Sequence, residues 1–380
     1  MNILLTSTRA PVTLELIRAF GRSGHTVVAT DTQRWTLGSH SRYVASHVVT
    51  PPPRQAPAAF LDALERLIVE RRIDWLIPTC EEVFYVARGY ERLSARTRVF
   101  TSPLAVLAEL HHKFRFGQRA SALGLRTPRT VLIASRDELM ARLPEFPAYV
   151  LKPAYSRFAT QVISNCGPHA GQIALSSCDP TPEQPWLLQD FIAGPSVCSY
   201  SALHDGHVTA HCAYAIPHTF GGGSGVQFRS IDGMETLAIV ERLGAALRYT
   251  GQISLDFIRG DDGLYLLECN PRATSGAHLI DSEQLIGGLT DPTQPTFVTP
   301  PGRCRQLTIP LLAGAGRQLR RWPGVLRAAL THDDVIADLR DPLPLLTQLP
   351  MTLRFAWIAR REQRSLTAAT TYDIEWNGVP

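Results

Sequence analysis

Lysine is nearly absent from these 380 residues. Of 38 lysines and arginines, only Lys113 and Lys152 are lysine. The arginines are scattered, with no basic block, and the net charge is only +4. That gives no electrostatic footprint for nucleic acid or another polyanion. Cysteines number seven, an odd count with no C-x-x-C pair. Reduced, mostly buried thiols are expected rather than a disulfide framework or a zinc site. No apolar run approaches the roughly 18 residues of a membrane span. The start, "MNILLTSTRAP", lacks the charged opening and apolar run of a signal peptide. A soluble cytoplasmic protein with no membrane partner is expected. Internal repeats and low-complexity segments are missing too. The length exceeds a single core, so two or three domains are expected.

What is present is ordered. The first hundred residues alternate strand and helix signals. "NILLT" (2–6), "TVVATD" (26–31) and "IDWLIPT" (73–79) read as strands. Between and after them, 10–25, 56–72 and 80–93 read as helices, the first with Leu14, Ile17 and Phe20 at helical spacing. This alternation implies a parallel sheet covered by helices. The first strand–helix turn is "STRAPVT", not G-x-G-x-x-G. The glycines that let a pyrophosphate approach are missing, so Asp31 reads as a polar strand end rather than a ribose ligand.

Residues 102–130 read as one or two helices and a turn. From 148 the pattern becomes antiparallel strands: "AYVLKP", "QVIS", "PWLLQDFI", "SVCSYSAL", "HVTAHCAYAI", then "QISLDFI" and "LYLLECN" joined by "RGDDG". "GGGSG" (221–225) reads as a loop, 233–248 as a helix, and 287–306 as a loop or domain edge. His204, His207 and His211 have metal-like spacing, but "DG" between them is a hairpin turn, so surface strand histidines are expected. Near the end, "LRFAWIARR" is apolar with a basic end, and "TTYDIEWNG" groups Tyr372, Asp373 and Trp376 as in a docked tail.

The chemistry concentrates in "LLECNPRATSG" (266–276). Strand alternation puts Leu264, Leu266, Glu268 and Asn270 on one face and Tyr265, Leu267 and Cys269 on the other. Folding the hairpin about 261–262 brings Asp256 within a residue or two of Glu268. Two carboxylates that close repel unless a cation sits between them. Hard oxygens without His or Cys suit Mg²⁺ shared with phosphates. Arg272 follows directly, placed for a phosphate or acyl phosphate. Lys152, fixed at a strand end by Pro153, and Lys113 supply further point charges.

In order and spacing, "LKP" (151–153), "LLQDFIAG" (187–194), "ISLDFI" (253–258) and "LLECNPR" (266–272) resemble the ATP-grasp superfamily, more narrowly its carboxylate–amine ligases and carbamoyl-phosphate-synthase-like members. The resemblance covers roughly residues 1–285. It implies a Rossmann-like α/β domain (1–108), an α+β grasp domain (109–300, with a lid at about 125–190 and a large part at about 191–300), and a C-terminal extension (301–380). It implies ATP as cofactor, bound by Lys113, Lys152, the hinge Gln189, Asp190, Phe191 and Ile192, and Ser196 at the ribose. Asp256, Glu268 and Asn270 match metal ligands for two Mg²⁺ ions, with Mn²⁺ an acceptable substitute. Arg272 matches the arginine at the transferring phosphoryl group.

Three departures stand out, one of them a hinge acid shortened to Asp190. The segment after "KP" is "AYSRFATQV" (154–162), without glycine but with Ser156, Arg157 and Thr160. Ser196 stands where the family has an acid. On the acceptor side, Arg229 and His218 flank the glycine run, and the amides of Ser275 and Gly276 are expected to open a helix able to hold a carboxylate. The expected substrates are a small-molecule carboxylic acid and an amine, joined through an acyl phosphate. A phosphotransferase, a biotin-carboxylase-like enzyme and a weakly catalytic nucleotide-binding module are the alternatives. A homodimer contact is one role open to the extension.

Overall fold

The computed structural model describes every residue except 157–160, 221–223, 316–321 and 379–380. Arg157, Thr160 and the glycines 221–223 therefore lie outside the described residues.

The N-terminal alternation folds as its periodicity requires. Five parallel strands lie in the order Val44–Val49, Thr26–Asp31, Asn2–Leu5, Trp75–Ile77 and Arg98–Val99. The helix Pro11–Arg22 starts with proline at its first turn, where the missing N–H costs nothing. It buries Leu14, Leu16, Ile17 and Phe20 completely. Each such side chain contributes about 1.5–3 kcal/mol. The stretch read as one helix over 80–93 is two short ones, Val83–Arg88 and Tyr90–Ser94, with Gly89 between them packed against Leu61.

At the switch point of this sheet, where such folds bind ligands, the chain fills the crevice itself. Glu82 accepts from Thr6 Oγ1 at 2.5 Å, from the amides of Thr79 and Cys80 at 2.9 and 3.1 Å, and from the Ser7 hydroxyl. Asp31, as its sequence context suggested, is no ribose ligand. It is buried against Arg9, which also grips Asp373 of the C-terminal tail at 2.6 Å. The tail is docked: Trp376 stacks on Phe84 with centroids 4.7 Å apart and meets the edge of Tyr155 at 6.0 Å.

A second, four-stranded antiparallel sheet has the order Thr130–Ile133, Trp186–Asp190, Tyr149–Pro153 and Ile163–Ser164. Its small core holds Phe146, Leu151, Ile163 and Leu188. The third sheet is the largest. It runs Gly263–Asn270, Gly251–Gly260, Ser196–His204, His207–Phe220, Ser224–Ile231, Cys304–Gln306 and Asp333–Asp334, with Phe297–Val298 beside His207–Phe220. Three features depart from the sequence reading. Residues from Ser224 onward form a strand, not a loop. The 287–306 segment contributes two short strands, because Gly and Pro between them still leave Phe297 and Cys304–Gln306 free to pair. Finally, the histidines are not all on the surface. His211 is fully buried between Ser201 (2.8 Å) and Thr236 (2.9 Å), and His204 is buried on Gly288 O at 3.0 Å. The turn between them is as expected, with positive φ at Asp205 and Gly206.

Burial opposes the charge of Asp373, but Arg9 and Thr32 hold its carboxyl below the usual range. Arg9→Met strands two buried carboxylates and is expected to cost about 3–5 kcal/mol in urea unfolding. Asp373→Asn costs less, because Asp31 still compensates Arg9. The Asp373 contribution is present above a pH of about 4, the ordinary carboxylate value, and is lost as pH falls below it. A flat stability profile from pH 7 to 3 contradicts this account.

Candidate active site

The hairpin Gly251–Gly260/Gly263–Asn270 places the acids. Its register sets Asp256 opposite Glu268 and Ser254 opposite Asn270. Glu268 and Asn270 do project together, but Leu264 and Leu266 do not share their face. Asp256 pairs with Glu268 and Phe257 with Leu266, so two residues on one strand face three on the other. Leu267 is the extra residue of a β-bulge. The bulge reverses the alternation. Leu264, Leu266 and Cys269 all enter the core with Leu255 and Phe257, while the acids stay outside it, beside a cleft.

That cleft, of about 630 Å³, is lined by Lys113, Gly117 and Ser121 of the helix Lys113–Ala122, by Thr130 and Gln189 of the second sheet, and by Leu266 and Leu267. Of the chain's only two lysines, both buried, Lys113 lines this cleft and Lys152 reaches its Leu267 wall. Lys113 Nζ lies 3.2 Å from Glu268 and donates to Ser156 O at 3.0 Å. Lys152 Nζ donates to the bulge carbonyl, Leu267 O, at 3.5 Å. Asn270 donates its amide to Asp256 at 3.2 Å and accepts from Arg272 at 3.1 Å. The Arg272 guanidinium also reaches Ala273 O at 3.2 Å.

The charges do not balance evenly. Burial disfavours the Glu268 anion, but Lys113 and Lys152 outweigh it and hold the carboxyl low. For Asp256 the help from Cys198 and Arg272 is too small. Burial, then repulsion from Glu268, push its carboxyl up. A divalent cation between the two would reverse that, so this donor set fits Mg²⁺. Among the described residues there is no cluster of three or more His, Cys, Asp and Glu able to hold a metal. Two carboxylates and an amide instead suit a cation that shares its ligands with phosphates.

The hinge residues sit at the edge of the second sheet. Gln189 is buried and donates to Thr130 Oγ1 at 2.8 Å. Asp190 is tied to Arg129 at 3.2 Å. The Phe191 N–H is committed to Ala148 O at 3.0 Å, so that donor is taken within the fold. Ser196 opens the strand Ser196–His204, exposed, two residues from Cys198, which pairs with Asp256. It therefore stands on the carboxylate face.

The acceptor residues are not gathered. Ser230, not Arg229, lies in the row running Tyr214, Cys198, Asp256. Arg229 is on the opposite face, beside Cys304 at a small pocket with His332 and Asp333. His218 lies farther along its strand, opposite Gln227. Ser275–Leu279 is one five-residue 3-10 turn rather than an opening α-helix. Gly276 is buried there because a Cβ would sit 2.5 Å from Tyr200 Cβ and 2.8 Å from the Tyr214 ring. Its role in the fold is close packing.

No family model matches the chain, and no curated protein matches it. Solved structures do. The chain superposes on an N5-carboxyaminoimidazole synthetase from Staphylococcus aureus complexed with ADP, with TM-score 0.65 and 10% identity over 84% of this chain and 86% of that one. The chain has the ATP-grasp fold. An L-amino acid ligase from Bacillus licheniformis matches at TM-score 0.60 and 16% identity, over 80% and 79%. The biotin carboxylase domain of the Hydrogenobacter thermophilus 2-oxoglutarate carboxylase, in complex with MgADP, ADP and bicarbonate, matches at 0.59 and 15%, over 79% and 72%. Within this architecture the cleft lies between the second and third sheets, with Lys113 in its wall and the Asp256–Glu268 pair beside it. Sequence reading missed the wall made by Gly117 and Ser121, four and eight residues after Lys113 and so on its helical face. It also missed the bulge, which no side chain announces.

Burial lowers the Lys152 ammonium to about 8, with Lys113 adding to the effect and Glu268 opposing it. In protein carrying isotopically labelled lysine, only two side-chain amines report. The signal lost in Lys152→Met is expected to titrate near pH 8, and a midpoint above 10 contradicts the burial described.

Proposed function

We propose that this protein is an ATP-dependent ligase that activates a small carboxylic acid as an acyl phosphate and passes it to an amine. The supporting observation is the cluster of Lys113, Lys152, Asp256, Glu268, Asn270 and Arg272 at the end of one hairpin, beside the cleft that Lys113 lines. In this reading Lys113 and Lys152 bind phosphate oxygens, and Lys113 exchanges Glu268 for them. The backbone of Ile192 reads the adenine edge, and Ser196 faces the ribose. Asp256, Glu268 and Asn270 hold Mg²⁺, which supplies neutralisation of the phosphates. Arg272, steered by Asn270, meets the transferring phosphoryl group. A substrate carboxylate oxygen attacks the γ-phosphorus and the β–γ bridging bond breaks, releasing ADP. The amine then attacks the acyl carbon, phosphate leaves, and an amide forms. No side chain acts as nucleophile; the site positions and neutralises charge. The ADP, MgADP and bicarbonate held by the similar structures support a nucleotide site and make bicarbonate a sensible acceptor to test.

ADP release in the presence of panels of carboxylates, bicarbonate and amines tests the reading. Substrate-dependent ADP is expected, falling about 10²–10³-fold in Glu268→Ala. AMP as product, or ADP release indifferent to every acid, overturns it. Nucleotide affinity is expected to be level below about pH 8 and to weaken above it, as Lys152 loses the charge that an anion requires.

A further inference from the structure

The C-terminal extension presents an apolar face that the ligase reading does not use. The helix Leu343–Arg361 buries Pro344, Thr347, Phe355 and Ile358. Phe355 and Ile358 pack with Ala369, and Met351 bridges to Leu14 and Leu37 through a neighbouring cluster. That is one side. The opposite side carries Leu346, Leu349, Leu353 and Trp357 at successive spacings of three, four and four, with exposures of 67, 68, 62 and 47%. Scattered apolar residues on a surface are ordinary, but a contiguous stripe is not. Eleven of the eighteen exposed large apolar side chains among the described residues lie between 309 and 366.

Charge selects the occupant. The helix has three arginines, Arg354, Arg360 and Arg361, and no acid in 19 residues. All three are exposed, and Arg354 and Arg361 lie over the Trp357 ring at 4.3 and 4.7 Å. Glu362, just past the end, pairs with Arg361 and is the nearest acid in sequence. A second copy of this chain would bring an acid-free basic face against an identical one. An anionic surface offers the complement. Leu and Trp on one face flanked by Arg is the composition of a helix lying in a lipid headgroup layer. Pro350, on the outward side, has no N–H for Leu346 O, so that carbonyl needs a polar partner and the helix cannot sink into hydrocarbon. Among the described residues, no helix is long and apolar enough to cross a membrane.

We propose that the outward face of Leu343–Arg361 docks this protein on an anionic lipid bilayer, lying at the interface with its long axis in the membrane plane. This departs from the expectation of no membrane partner, which rested on the absence of a spanning segment. A surface-lying helix needs no such segment.

Flotation of the full chain with vesicles tests it. Binding to phosphatidylcholine–phosphatidylglycerol vesicles is expected, with little to phosphatidylcholine alone, and added salt should weaken it. The double variant Leu349→Gln/Leu353→Gln should lose about tenfold or more in vesicle affinity. Arg354→Gln/Arg360→Gln should lose about tenfold on anionic vesicles only. Because these side chains are exposed, both variants should keep the wild-type melting temperature. Trp357 emission, taken as the difference from Trp357→Phe, should shift to the blue with anionic vesicles. Absence of flotation with anionic vesicles overturns the proposal. So does equal binding to neutral ones, or a solution dimer dispersed by the leucine variant without any vesicle binding. Retention on vesicles by the leucine variant would assign the binding to another surface.

Discussion

Everything in the candidate site follows from placing Asp256 and Glu268 opposite each other on neighbouring strands of a half-buried hairpin. Like charges there are costly, and the structure answers the two acids differently. Glu268 is answered by lysines from two separate elements, the helix after His112 and the strand ending at Pro153. Asp256 is answered more weakly, by a thiol, an amide and the Arg272 charge, and its proton is retained more readily. The asymmetry leaves one gap in the charge balance, and a divalent cation fits it.

The rest of the molecule keeps those elements in register. The crevice at the switch point of the N-terminal sheet is closed by Glu82 and its four donors. Arg9 draws the tail onto the same surface. Trp376 then lies between Phe84 and Tyr155, and Tyr155 follows Lys152 by three residues. The C-terminal tail thus packs against the backbone segment that carries Lys152. A ligand crevice of the parallel sheet has become a support for the antiparallel one.

Much of this was legible in the residues. Period-two and period-3.6 patterns announced the parallel sheet, and the hairpin was readable from "RGDDG" because its turn chemistry is local. The pairing of Asp256 with Glu268 followed from counting across that turn. What was not legible depended on contacts between distant segments. The bulge at Leu267 exists because Leu266 and Cys269 must both reach the core that Leu255 and Phe257 define. Arg229 looked like an acceptor residue beside a glycine run, but pairing with Ala215 and Cys304 turned it to the far face. His211 looked superficial in an alternating strand, yet a helix covers that face through Thr236. Phe191 kept its place at the sheet edge, but its amide was spent on Ala148, a residue more than forty positions away.

The scarcity of lysine has a practical side. A chain that uses arginine for every surface cation keeps its primary side-chain amines for one cleft. Amine-directed chemistry, whether acylation, reductive methylation or coupling to a solid support, has no decoy on the outside beyond the terminal amine. Any such modification of a side chain is a modification of the candidate active site. The reactivity of its two lysine amines is therefore a direct measure of whether that cleft is open.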